Sequence, residues 1–316
     1  MAVQTRAIKR RIKSVKNTRK ITKAMELVAA SKMRKAVSAV ALSRPYSKLA
    51  WNTIRSIGAR VDTSLHPLLR ARPVVKSVLL LLITSDRGLA GGFNTNILRK
   101  TRGTVKALGE GVEVQTICIG KRGADAMRRM NLPIMASFQE ITNNTKFEEV
   151  LPIGRLVIHE FSSERFDKVL VAYTDFVSPV TQTPVMVELL PLSTVVAPGF
   201  SPGEAQAPAV AKAMAGGEAW DYQNGKVPSS DYTFEPSPEL VLNKMLPRLV
   251  ETMVYQAVLE SAASEHSSRM MAMRSASDSA AEMIDDLTFT FNQARQAGIT
   301  QEIAEISSGK AALESV

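Results

Sequence analysis

From Arg248 to Ala297 the chain runs fifty residues without a glycine or a proline. No other feature constrains the fold as much. A run this long without either breaker reads as one helix, and unbroken it would extend about 75 Å at 1.5 Å per residue. A heptad seam fits it: Leu242, Met245, Leu249, Thr252, Gln256, Leu259, Ala263, His266, Met270, Met273, Ser277, Ala280, Ile284, Leu287, Phe291 and Ala294. Twelve of those sixteen side chains are apolar, which is the signature of a coiled-coil seam. The other structure that suits such a run is one buried helix of a large bundle.

The opposite end shares the habit. Residues 1–44 contain no glycine or proline, and Ile8, Ile12, Val15, Thr22, Met25, Ala29, Met33, Ala36 and Val40 form one narrow helical stripe, interrupted around Arg19. Pro45 predicts a bend, after which Leu49, Trp51, Ile54 and Ile57 carry the helix to Gly58. Residues 1–35 hold twelve Lys and Arg against the single acid Glu26, whereas residues 237–316 hold eleven acids and six bases. An Arg-rich, acid-poor start also suits a mitochondrial transit peptide, but here the helical pattern passes residue 40 without a break. A stripe so narrow cannot stabilise an isolated helix. The basic first helix is therefore expected to pack antiparallel on the more acidic last one. Surface ion pairs contribute only about 0–1 kcal/mol each, so the apolar seam must carry the stability and charge the register. Aromatics at 5% beside 14 methionines also suit helix–helix packing.

Between the ends the rhythm changes. "VVKSVLLLLITSD", "VEVQTICIG" and "DKVLVAYTDF" are short, β-branched and almost wholly apolar, as strands buried on both faces are. Helical stretches lie between them at 94–108, 121–130 and 146–164, and "MVELLPL" at 186–192 adds an edge strand. The expected fold class is α/β: a long antiparallel coiled coil of N- and C-terminal helices plus a small Rossmann-like parallel-sheet α/β domain. The expected divisions are an N-terminal coiled-coil helix at 1–58, the α/β domain at 73–195, a surface loop at 196–238 rich in Pro, Gly, Ala and Ser, and a C-terminal coiled-coil helix at 239–309.

Signals for chemistry are thin. "TSDRGLAGGFN" at 84–94 follows the first strand like a phosphate-binding turn, yet it matches neither G-x-G-x-x-G nor G-x-x-x-x-G-K-[ST]. Its glycines then serve a tight turn and close helix–strand packing, and Asn94 is a candidate cap of the next helix. "HEFSSE" at 159–164 begins like a zinc-protease motif but carries Ser163 where the second histidine belongs. His66, His159 and His266 are scattered, and Cys118 lies inside an apolar strand. No metal site, cofactor site or catalytic triad emerges. No segment could span a bilayer. A net charge of +10 points to an acidic partner. Nucleic acid is one such partner, although the first 45 residues lack aromatic rings for stacking. A membrane surface would want Trp or Phe on that helix. An acidic protein is the remaining partner.

Three blocks carry a resemblance to a known family. "IKRRIKSVKNTRKITKAMELVAASKMRKA" (8–36) resembles the first helix of the gamma subunits of F-type ATP synthases, "ITSDRGLAGGFN" (83–94) their turn after the first strand, and "SSRMMAMRSASDSAAEMIDDLTFTFNQARQAGITQEIAEISSG" (267–309) their final helix. The resemblance implies a non-catalytic central-stalk rotor subunit with no cofactor. In the family, a coiled-coil shaft turns inside a ring of alpha and beta subunits, and the α/β domain sits against the epsilon subunit and the membrane c ring. Proton-driven rotation of the c ring is thereby coupled to ATP synthesis or hydrolysis. The implied location is peripheral, on the cytoplasmic side of a bacterial inner membrane. The alternative is a basic coiled-coil protein that binds nucleic acid.

Carried over by motif, Lys23 and Met25 of the first helix and Arg269, Arg295, Gln296, Thr300 and Glu302 of the last are expected to contact the alpha/beta ring. "DYTFEPSPE" (231–239) resembles the family segment near the c ring and epsilon, so Tyr232 and Glu235 are expected there. Lys20, Lys32, Arg34 and Lys35 are further candidates for acidic loops of the ring. Met270, Met271, Met273, Ala276 and Ala280 would suit a sliding surface. The family usually has alanine after the glycine at 309, where this chain has Lys310. The plastid form carries a regulatory cysteine pair; a chain with only Cys118 has no such switch.

Overall fold

A computed structural model describes residues 2–58, 66–109, 111–192 and 237–314. The elements run α1 (Ala2–Gly58), a 3-10 turn (Pro67–Leu69), β1 (Ser77–Ile83), α2 (Phe93–Ala107), β2 (Glu113–Ile119), α3 (Lys121–Arg129), β3 (Ile134–Phe138), α4 (Phe147–Ser162), β4 (Lys168–Phe176), β5 (Gln182–Leu190) and α5 (Pro238–Glu314). The chain divides into two compact units. One pairs residues 1–29 with 269–316, and the other holds residues 30–268.

The larger unit is built on a five-stranded sheet of order β3-β2-β1-β4-β5. Its four pairings set β1 parallel to β2 and β4, β2 parallel to β3, and β5 antiparallel to β4. Strand β1 is apolar on both faces because both are covered. Val78, Leu80 and Leu82 pack with Ile97 of α2 and Ala124 and Met127 of α3. Leu79, Leu81 and Ile83 pack with Val150, Ile153, Val157 and Phe161 of α4 and with Leu246, Val250 and Val254 of α5. Helix α4 comes close to α5 at Gly154, where an added Cβ would stand 3.3 Å from the Glu251 Cα. Phe147 and Tyr255 seal that contact edge to face, with ring centroids 5.3 Å apart. Asp167 joins the starts of β1 and β4, accepting from Arg72 Nη1 (2.8 Å), Lys76 N (2.8 Å), Ser77 N (2.9 Å) and Ser77 Oγ (3.0 Å). Burial opposes its charge, but those four donors hold its carboxyl well below the usual carboxylate range.

In this unit α1 and α5 run antiparallel. Val40 packs with Leu259 and Ala263, while Ser43, further along α1, donates to Gln256, further back on α5, at 2.7 Å. Residues 249–267 of α5 are all buried except the half-buried Tyr255. The bundle alternative therefore describes this span, which is enclosed all round. In the smaller unit the coiled-coil reading holds: on α5 the buried positions are Met273, Ser277, Ala280 and Ile284, with Leu287, Phe291 and Ala294 half-buried in the same rhythm. On α1 the less exposed positions are Thr5, Ile8, Ile12, Val15, Thr22, Met25, Glu26 and Ala29, with a gap around Arg19.

Helix α1 runs through Pro45, with Ser47 and Ala50 buried beyond it, and α5 runs through Pro247 and Gly298. Two expectations need correction. Strand β3 was not expected, and β5 begins four residues before the stretch read as an edge strand. The expected loop at 196–238 lies outside the described residues except for its last two.

Candidate functional site

The turn after β1 is the obvious place for a phosphate, and the chain occupies it with its own groups. At the N-terminus of α3 the Lys121 N–H donates to Asp86 Oδ1 (3.0 Å), the Arg122 N–H to the Ser85 carbonyl (3.1 Å) and the Gly123 N–H to Thr84 Oγ1 (2.8 Å). The second Asp86 oxygen accepts from the Glu140 N–H at 2.8 Å, just past β3. A helix N-terminus attracts anions through its unpaired amides, and here Asp86 is the anion. Asn94 does not cap α2. Its side chain turns back to Ser85, accepting from that N–H (3.1 Å) and donating to that hydroxyl (2.7 Å). Of the three turn glycines, only Gly91 has a positive φ, at 54°. The close helix–strand approach belongs instead to Gly120 and Gly123, where an added Cβ would press on the Thr84 carbonyl and hydroxyl.

Of the remaining chemical candidates, His159 is exposed on α4 and the others are packed residues. Cys118 is fully buried, and burial pushes its thiol up to about 11, which makes it a poor nucleophile at neutral pH. His66 accepts from the Leu68 N–H at 3.1 Å and is kept neutral chiefly by burial. His266 is buried on the α5 seam. Among the described residues no three His, Cys, Asp or Glu side chains group as a metal site would require.

The smaller unit offers a surface rather than a cavity for chemistry. Ile12 of α1 and Ser277 and Ile284 of α5 line one groove of about 1330 Å³. Eight cations, from Arg6 through Lys23, edge it on α1, with Asp278 on α5. Large apolar side chains also point outward: Ile21, Leu27 and Val28 on α1, and Met283, Phe289, Ile299, Ile303 and Ile306 on α5. Phe289, at 72% exposed, and Ile306, at 73%, lie off the heptad seam, which is the signal that could have found them.

The residues singled out by sequence fall in several places. Lys23 is exposed and pairs with Glu26 at 3.0 Å, while Met25 is half-buried on the stripe. Arg269 is half-buried; Arg295, Gln296, Thr300 and Glu302 are exposed on α5. Lys20, Arg34 and Lys35 are exposed, but Lys32 is engaged within the larger unit, donating to Asn143 Oδ1 at 3.1 Å. Met273 and Ala280 face the seam and cannot be a sliding surface; Met271 is exposed. Tyr232 and Glu235 lie outside the described residues, as does the side chain of Lys310.

Against known proteins, a family model described as ATP synthase matches residues 4–313. The chain is 41% identical over 308 residues to the ATP synthase gamma chain of Heliobacterium modesticaldum, covering 98% of each chain. It is 42% identical over 310 residues to that of Dehalococcoides mccartyi, again over 98% of each. Among solved structures it is similar to a chain in the cryo-EM structure of the Tetrahymena thermophila mitochondrial ATP synthase central stalk and c ring. That match has a TM-score of 0.57 at 25% identity and covers 81% of this chain and 99% of the other.

Proposed function

Because the chain belongs to the ATP synthase gamma-chain family, we propose that it works as the central-stalk rotor of an F-type ATP synthase. Proton flow turns the c ring, the stalk turns with it, and the alpha/beta ring is carried through its binding states. The observation that carries this reading is the paired helix of the smaller unit. Its seam closes inward at Met273, Ser277, Ala280 and Ile284, and its outer surface carries cations along α1, carboxylates along α5 and large apolar side chains on both. A ring that reads the shaft's orientation requires a coupling free energy between distant sites, and an asymmetric outer surface supplies it.

The chain itself is non-catalytic in this reading. The amides at the start of α3, which stand against the turn after β1, are spent on Asp86, Ser85 and Thr84. Lys23, Met25, Arg269, Arg295, Gln296, Thr300 and Glu302 are assigned to the alpha/beta ring, and Tyr232 and Glu235 to the c ring and epsilon. None of the helices among the described residues is long and apolar enough to cross a membrane. The family reading assigns the chain a peripheral place through the complex, on the cytoplasmic face of a bacterial membrane.

Affinity capture of the tagged chain from its native membranes tests the reading. Alpha and beta polypeptides should co-purify, and the chain purified alone should hydrolyse no ATP. Capture of nucleic acid in their place would favour the polyanion-binding alternative that the cationic groove permits.

A further inference from the structure

In the larger unit, where α1, α5 and the end of β4 meet, lies a buried charge cluster that a rotor has no evident need for. We propose that Glu260 and Asp175 hold a single proton between their carboxyl groups, and that this proton latches α1 and α5 to the end of β4. Glu260 and Asp175 are 7% and 6% exposed, and both reach the same Arg44 side chain. One guanidinium serves both. Arg44 Nε stands 3.5 Å from Glu260 Oε1, and Arg44 Nη2 stands 3.9 Å from Asp175 Oδ1 while donating to the Phe176 carbonyl at 2.9 Å. Gln256 Nε2 donates to Glu260 Oε1 at 2.8 Å, and Ser43 Oγ fixes that amide by donating to Gln256 Oε1 at 2.7 Å.

The charge count decides the state. Two ionised carboxylates against one Arg44 side chain, itself 40% exposed, would leave a buried negative charge. Sharing a proton removes it and supplies the donor that joins the two carboxyls. The groups facing Glu260 are Asp175 and Tyr173 from β4, Arg44 and, through Gln256, Ser43 from α1, and Gln256 from α5. Burial, then Asp175, pushes Glu260 up to about 7, against the pull of Gln256 and Arg44. Burial, then the two carboxylates, raises Tyr173 well above its ordinary value, so its hydroxyl stays neutral. A carboxyl raised on folding stabilises the native state fully below its unfolded value of 4.5, and that contribution is lost as pH climbs to about 7. The latch is therefore closed in mild acid and slack in mild alkali. This inference rests on the geometry of the larger unit alone and would outlive a failure of the rotor reading.

Thermal melting of the full chain with and without Glu260→Gln tests it. The amide imitates the protonated acid, so the two proteins should melt together at about pH 4, and the variant should melt several degrees higher at about pH 8. Identical pH profiles would overturn the proposal. Should the variant not fold, a carbon-13 carboxyl titration of the unaltered chain decides instead. A Glu260 signal with its midpoint near neutrality supports the latch, and a midpoint in the ordinary carboxylate range overturns it. Hydrogen exchange at residues 172–178, corrected for intrinsic rates, should quicken above neutrality in the unaltered chain and not in a Glu260→Gln chain that folds.

Discussion

Gly120 and Gly103 separate two reasons for having no side chain. Gly120 sits at φ 94°, and a Cβ there would run into the Thr84 carbonyl, so Gly120→Ala should destabilise the fold by about 2–4 kcal/mol. Gly103 has nothing within 4 Å of an added Cβ and lies inside α2, so Gly103→Ala should stabilise it by about 0.5–1 kcal/mol. Chemical denaturation of both variants checks the pair, and equal shifts would show that the Thr84 contact is not what holds Gly120. At this scale the sequence is least legible. Asp86 is a polar residue in a turn, as most turns contain, and its partner Glu140 lies 54 positions away. Asn94 is a residue type that often caps helices, but only the fold shows that its side chain is engaged with Ser85 instead. Arg44, Asp175 and Glu260 are likewise spread over three elements, so no spacing could have announced them.

Elements were readable in proportion to their periodicity. The heptad positions of α5 in the smaller unit are the ones that come out buried, since a 3.5-residue repeat fixes which side chains meet a partner. Strands β1, β2 and β4 announced themselves as unbroken apolar runs. Strand β3 did not, because a half-buried edge segment of five residues that includes Ala136 and Ser137 has neither a run nor a clear alternation. Ala280, only 7% exposed, tests the seam directly. A carboxylate placed there would be desolvated, so Ala280→Asp should cost on the order of 3 kcal/mol and lower the helical content seen by circular dichroism on heating. Melting indistinguishable from the parent would mean that Ala280 does not face the partner helix.

At the scale of the molecule, stability and function should be separable. Residues 299–308 are exposed at every position, with Ile299, Ile303 and Ile306 among them. Deleting residues 299–316 should therefore leave the melting temperature of the chain nearly unchanged. In the reconstituted complex the same deletion should reduce ATP-driven proton pumping more than ATP hydrolysis. A truncated chain that fails to fold would show that the final turns belong to the core after all. The outward apolar residues and the cationic groove make sense only beside other chains, which is why composition hinted at an acidic partner while no motif within the chain identified a substrate. The enclosed span of α5 carries one more implication. A rod enclosed over residues 249–267 cannot spin freely in its socket, because its side chains are keyed into the sheet, α4 and α1. Twist delivered to the body of the larger unit thus enters the helix without slippage, as through a spline rather than a smooth sleeve.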